Sequence, residues 1–391
     1  MQILVSTLIA FLLSALLVPG VIRLADSKGW HDPVDSRKLH TIPTPRLGGI
    51  AIFWAFTLTV GLAYLVGWYA APNGLGIRHV WMILVSALAA HVLGLLDDFT
   101  DLRARYKFLV QLAIAIGLIS MGFHFRVIMV PWGSGAIDLG LFGPPLTLFW
   151  VVGVMNAVNL IDGMDGLAGG LSVIAAAIFG SFFLARGNGA AALICFSLGG
   201  ALVGFLLFNL PFPRARIFMG DSGSLFLGLI LAILPLLGPA QGIVEIGIMS
   251  AITILLIPIY DTIFAMMRRA RAGVSFFTPD KLHVHHRLLD QGLSPLNALL
   301  RIYAAALLLG LVAISTLFVR PTVAFAMKIA VWIFFAIFFA RISSRPHPAA
   351  KGKAEIKLED SGDKSQHTGT TFVAPPRADE EAGKVHGQAY R

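Results

Sequence analysis

Apolar residues gather into eleven runs along the chain, at residues 2–24, 47–69, 79–96, 107–122, 143–160, 165–185, 189–209, 223–239, 243–266, 298–319 and 323–343. A helix needs about 20 such residues to cross the hydrocarbon of a bilayer. The two-residue alternation of a membrane β-strand is absent. The pattern therefore predicts an all-α, polytopic membrane protein with about eleven transmembrane helices. The third and fourth runs are short, and the eighth contains Pro235. The first run, Ile3 to Leu24, has no basic leader and no Ala-x-Ala site, so a span is expected there rather than a signal peptide. After the last run the pattern changes. Residues 345–391 are rich in Lys, Glu, Asp, Gly, Pro and Ser and poor in large apolar residues. Such a segment cannot bury enough surface to fold. The expectation is a membrane domain over 1–344 and a disordered cytoplasmic tail over 345–391.

Composition agrees with the pattern. Of 391 residues, 57% are hydrophobic and 13% charged, against about 25% charged in soluble proteins. The single cysteine, Cys195, excludes a disulfide framework and a cysteine metal site. The net charge of +9 reads as basic loops on one side of a membrane rather than as nucleic-acid binding.

Threading eleven spans through a bilayer puts 25 of the 30 Lys and Arg on one side. Only Arg78, Arg126, Arg186, Arg320 and Lys328 fall on the other. The positive-inside rule then sets the N-terminus outside and the C-terminus in the cytoplasm. Four chemistry-bearing segments land together on the cytoplasmic side: Asp97-Asp98, Asn156 to Gly166 (NAVNLIDGMDG), Asp221 within FMGDSGS, and His283-Val284-His285-His286.

Ionised side chains at the ends of apolar spans are expensive unless solvated, paired or metal-bound. Asp97-Asp98 reads either as a wetted helix-end charge pair or as a metal ligand or base for a phosphate-bearing substrate, with Lys107 and Arg103 at hand. Asn156, Asn159 and Asp162 recur every third position, one face of a helix, and four amide or carboxylate groups in ten residues, Asp165 included, exceed what interhelical glue requires. The EF-hand pattern is not met. The GDSG string also surrounds a serine-protease nucleophile, but here it abuts an apolar helix. Asp221 reads better as a hard oxygen ligand, with Ser222 and Ser224 as helix caps. Three histidines beside Lys281, Arg268, Arg269 and Arg271 suit an anionic phosphate more than zinc. Loop 1, with Lys38 and Arg46 in a Pro- and Gly-punctuated segment, offers further phosphate contacts. Hard oxygens with Lys, Arg and His point to Mg²⁺-assisted phosphoryl chemistry, and no Walker A motif is present to bind ATP. A transporter is the competing class; it predicts acids at mid-span in repeated halves, whereas these acids sit at span ends.

The set P-x-P-R-L-G-G, DD, N-A-V-N-x-x-D-G-x-D-G-L-A, F-M-G-D-x-G-S and H-x-H-H, in that order over about residues 1–345, resembles the polyprenyl-phosphate N-acetylhexosamine-1-phosphate transferases (glycosyltransferase family 4). The resemblance implies transfer of an N-acetylhexosamine-1-phosphate, GlcNAc-1-phosphate in the first instance, from a UDP-sugar to undecaprenyl phosphate, with release of UMP, as the first step of a cell-envelope polysaccharide such as lipopolysaccharide. It implies Mg²⁺, with Mn²⁺ as a substitute, held by Asn159 and Asp221. It implies Asp97, Asp98, Asp221, Lys107 and His283 in catalysis, with Lys38, Arg46, Asn156, Asp162, Asp165, His285 and His286 contacting substrate. The setting would be a bacterial inner membrane with the site facing the cytoplasm and no nucleic-acid partner; a homodimer is left open. Phospho-N-acetylmuramoyl-pentapeptide transfer remains the alternative within the family, although those enzymes carry three consecutive histidines where this chain has His-Val-His-His.

Overall fold

A computed structural model describes residues 1–31, 43–68, 75–130, 135–211, 214–237, 247–275 and 282–344. About 79% of them are helical, which settles the class as all-α. The runs become α1 (Gln2–Lys28), α2 (Gly48–Leu65), α3 (Ile77–Thr100), α4 (Ala104–Ser120), α5 (Gly143–Ile161), α6 (Leu167–Ala185), α7 (Gly189–Asn209), α8 (Asp221–Ile233), α9 (Ile248–Ile254) with α10 (Leu256–Arg271), α12 (Pro295–Ile314) and α13 (Pro321–Ser344). A short α11 (Val284–Asp290) and a two-stranded hairpin, β1 (Val127–Met129) with β2 (Ala136–Asp138), were not foreseen.

Among the described residues, eight helices are long and apolar enough to cross a membrane. Two of the remaining runs give short helices. α4 has 17 residues, and α8 has 13, roughly 20 Å of helix at 1.5 Å per residue. Pro235 ends α8 in a 3₁₀ turn. The expected ninth span is two helices bent by 81°. Pro258, in the first turn of α10, has no N–H to bond back across that break.

α8 is the axis of the fold. Every residue from Ser222 to Ile233 is buried, and the helix packs on α2, α3, α5 and α6. Being apolar all round, it belongs inside the bundle. At the periphery, α1 buries Ser6, Ala10, Ser14 and Ala25. Ala10 and Ser14 meet Gly200 and Gly204 of α7, where any Cβ would strike the α1 backbone. Such small-residue contacts let membrane helices approach closely.

One end of the bundle is laced by backbone hydrogen bonds between distant loops. The Gly48 and Gly49 amides donate to the Phe218 and Met219 carbonyls at 2.9 and 2.8 Å, and the Phe218 amide donates to Pro45 at 2.7 Å. The Pro-Arg-Leu-Gly-Gly segment of loop 1 is thereby fixed against the Phe-Met-Gly-Asp segment.

Candidate active site

Asp97 and Asp98 lie in the last turn of α3, not beyond it. Asp101 ends the helix with φ 50°, a left-handed conformation that Asp tolerates. The reversal lets the Leu102 amide donate to Asp97 Oδ1 at 2.8 Å. Lys107, in the first turn of α4, reaches back to Asp97 Oδ2 at 2.5 Å and stands 3.6 Å from Asp221 Oδ2.

The two oxygens of Asp98 accept from the first two amides of α8, Asp221 at 2.8 Å and Ser222 at 3.0 Å. A carboxylate from α3 therefore caps α8, satisfying orphan amides and opposing the positive end of its dipole. The expected serine caps are not formed. Gly220 precedes the helix at φ 75°, and a Cβ there would meet the Asp98 carboxylate at 2.7 Å. His91 Nδ1 bonds the Ser222 carbonyl at 3.1 Å, its ring stacked on Phe53. Gly94 gives α3 room to lie against the same backbone. Asn159, near the end of α5, donates through Nδ2 to Asp221 Oδ1 at 2.7 Å and to Ser224 Oγ at 2.9 Å.

Asp162 follows the end of α5. Desolvation of its carboxyl, then the charges of Asp221 and Asp98, push its pKa up to about 8 against the pull of Arg46. The loop carrying Asp162 and Asp165 is pinned from two sides. Asn209 accepts from the Gly166 amide at 2.9 Å and donates to the Ile217 carbonyl at 2.8 Å, and Tyr303 donates to the Gly166 carbonyl at 2.5 Å. One asparagine thus clasps the two acidic loops together.

The histidine segment docks on that loop. A Cβ at Gly163 would lie 2.7 Å from the His285 ring, so the imidazole occupies the space that glycine leaves. His285 is buried with neither ring nitrogen hydrogen-bonded among the described residues. Burial, then the neighbouring His286 and His283, hold its pKa well below the usual histidine range. His283 Nδ1 bonds Asp261 Oδ2 at 2.7 Å.

The expected site residues therefore sort by place. Asp97, Asp98, Lys107, Asn159, Asp162 and Asp221 converge, with Arg46 near enough to act on Asp162. Asp165 shares the pinned loop, and His283, His285 and His286 stand beside it on α11 and its cap. Asn156 turns elsewhere, donating to Gln111 of α4 at 2.6 Å and to Val152 at 2.8 Å. Lys38 and the tail fall outside the described residues. Asn209, Tyr303, His91 and Asp261 were missed. Only Asp261 had a signal, a carboxylate deep inside an apolar run.

Among the described residues, no three Asp, Glu, His or Cys side chains form a metal cage. Mg²⁺ commonly binds through one or two carboxylates plus substrate phosphates, keeping several waters. The Asp221 carboxylate and the Asn159 amide, whose oxygen takes the place of its nitrogen when the group turns over, are a donor set of that kind.

A helical membrane protein with four carboxylates and a lysine drawn to one end of its bundle is the class that fold and site define. The glycosyl transferase family 4 model matches residues 80–238. The chain is 38% identical over 316 residues, 80% of its length and 84% of the relative's, to the probable undecaprenyl-phosphate N-acetylglucosaminyl 1-phosphate transferase of Bacillus subtilis. It is 36% identical to the decaprenyl-phosphate N-acetylglucosaminephosphotransferase of Mycobacterium tuberculosis, over 73% of this chain and 75% of that one. It is 33% identical to the undecaprenyl-phosphate alpha-N-acetylglucosaminyl 1-phosphate transferase of Escherichia coli, over 76% and 80%. The chain belongs to glycosyl transferase family 4.

Proposed function

We propose that this protein transfers GlcNAc-1-phosphate from UDP-GlcNAc to undecaprenyl phosphate at the cytoplasmic face of a bacterial inner membrane, as the first step of a cell-envelope polysaccharide. The observation that carries the reading is the convergence of Asp97, Asp98, Lys107, Asn159 and Asp221 from four separate segments onto the start of one helix. The names of the relatives support the same donor and acceptor classes. On the path of eleven runs expected from the sequence, the excess of Lys and Arg on one side supports the orientation.

In the proposed step a lipid phosphate oxygen attacks the β-phosphorus of UDP-GlcNAc. A new P–O bond forms, the bond to the bridging oxygen breaks, and UMP departs with that oxygen. A phosphate monoester is already largely ionised at neutral pH, with its second pKa near 6, so positioning and charge neutralisation matter more than a strong base. Lys107 is the cation placed between Asp97 and Asp221, where it neutralises and orients an incoming phosphate. Arg46 and the histidine segment supply further phosphate contacts, and His285, buried with no hydrogen bond to its ring nitrogens among the described residues, offers a neutral hydrogen-bonding ring. Asp221 and Asn159 would hold Mg²⁺, which would offset the diphosphate charge and stabilise the leaving UMP. Asp98 holds α8, so Asp97 is the one of the pair left facing Lys107 and the substrate.

Release of UMP from UDP-GlcNAc by the purified protein, with undecaprenyl phosphate and Mg²⁺ in detergent, tests the proposal. Asp221→Ala is expected to lower kcat by about 10³-fold or more without loss of folded protein. Unchanged turnover in excess EDTA would remove the metal from the reading. Turnover with UDP-muramoyl-pentapeptide but not UDP-GlcNAc would replace the donor.

A further inference from the structure

Asp261 is a carboxylate in α10, only 2% exposed, three residues beyond Pro258 and on the α10 side of the 81° bend between α9 and α10. A carboxylate so deeply enclosed is costly unless its oxygens are hydrogen-bonded. Both oxygens are engaged, and both partners belong to the histidine segment. Oδ2 meets His283 Nδ1 at 2.7 Å, and Oδ1 accepts from the Val284 amide at 2.8 Å. The first contact fixes a tautomer. An ionised carboxylate only accepts, so Nδ1 carries the proton and Nε2 is the nitrogen presented to a ligand. The second contact caps α11, whose N-cap residue is His283 itself and which has no side-chain cap of its own. One residue later along that helix, His285 fills the space left by Gly163, between Asp162 and Asp165. The rings of His283 and His285 lie parallel, 6.1 Å apart. A continuous set of contacts thus runs from α10 through Asp261 and His283 to the acidic loop.

We propose that Asp261 is a positioning residue for the transfer, holding His283 in one tautomer and seating the His-Val-His-His helix on the acidic loop. This rests on the reading of His283 as a phosphate-binding group. Asp261 acts through that ring and touches no substrate. Carboxylates that orient a working imidazole in this way typically cost 10- to 100-fold in function when removed. Asn is the incisive replacement. Its oxygen can still accept from the Val284 amide, but its NH₂ faces His283 Nδ1 and favours the opposite tautomer.

The test is a double-mutant cycle on UMP release by the full chain, with folding checked by thermal unfolding and size exclusion. Asp261→Asn is expected to lower kcat/KM by about 30-fold, and Asp261→Glu, which restores the charge, to recover about a third or more of that loss on a logarithmic scale. His283→Ala is expected to lower it by about 100-fold. Because one residue acts through the other, the double variant Asp261→Asn/His283→Ala should match His283→Ala within about threefold. If the two losses multiply, Asp261 supports the fold and not the ring, and the positioning role is overturned. If His283→Ala retains wild-type turnover, the reading of His283 fails and the role of Asp261 with it. The two failures are therefore distinguishable.

Discussion

Two regions of this protein bury polar side chains, and they balance them differently. On the flank of the bundle, Lys328 of α13 donates to Ser250 of α9 at 2.8 Å, Trp332 donates to Thr253 at 2.9 Å, and Tyr260 of α10 donates to the Trp332 carbonyl at 3.1 Å. Every one of these groups has a hydrogen-bond partner, Thr253 also donating to the Met249 carbonyl at 2.7 Å, and together they staple α13 across the α9–α10 break. At the acidic end, Asp97, Asp98, Asp162 and Asp221 share Lys107 and Arg46. The hydrogen bonds there leave negative charge over, and Asp162 is pushed up to about 8 by desolvation first and then by the charges of Asp221 and Asp98. A surplus of like charge is held together only by protons or an added cation. Burial alone therefore does not mark a working site in a membrane protein; an uncompensated balance does.

The sharpest way to break this comparison is Asp98→Asn. The amide keeps one acceptor and turns a donor toward the second amide of α8, so the helix start loses half of its cap. About 100-fold lower kcat is expected from displacement of Asp221, with a stability loss of about 1–2 kcal/mol. UMP release and thermal unfolding on the same preparation read both. Activity above half of wild type would mean that Asp221 does not depend on this cap.

The role of Asp98 also shows what the sequence could not carry. The acids, the lysine and the order of the motifs were legible because each costs free energy in an apolar setting. The two-residue adjacency of Asp97 and Asp98 suggested a shared role. In the fold they point to different partners, one to α4 and one to the α8 backbone 123 residues later. Local patterns named Ser222 and Ser224 as caps because capping is usually local; the cap instead arrives through packing of α3 on α8, which Gly94 makes close enough. Asn156 misled for a similar reason. Its three-residue spacing from Asn159 held, but one residue turned to Asp221 and the other to Gln111. The break between α9 and α10 could have been read from Pro258, and the clasp by Asn209 could not.

A smaller effect separates the loop from the helices that hold it. Gly163→Ala adds one methyl group 2.7 Å from the His285 ring, so the imidazole must move while the four carboxylates stay in place. About tenfold lower kcat/KM is expected, with stability changed by less than about 1.5 kcal/mol. Gly189→Ala is the control, since nothing lies within 4 Å of its Cβ position, and it should leave kinetics unchanged. Equal behaviour of the two variants would detach the histidine segment from the reaction.

The smallest effect is expected on the flank. Lys328 is 5% exposed, and Ser250 is its hydrogen-bond partner. An ammonium group so placed adds little net stability, because desolvation opposes the one bond it makes among the described residues. Methionine fills nearly the same volume without the charge, and replacing buried charged groups by apolar ones of similar size is often neutral or stabilising. The freed Ser250 hydroxyl can turn back to a carbonyl of its own helix. Lys328→Met should therefore keep kcat/KM within about twofold and hold or raise the unfolding temperature by a few degrees, about what 1 kcal/mol is worth in a chain of this size. If the variant instead stays folded and loses turnover by an order of magnitude, the flank is part of the machinery. The satisfied hydrogen bonding that sets it apart from the acidic end would then be a resting state of the site rather than a staple.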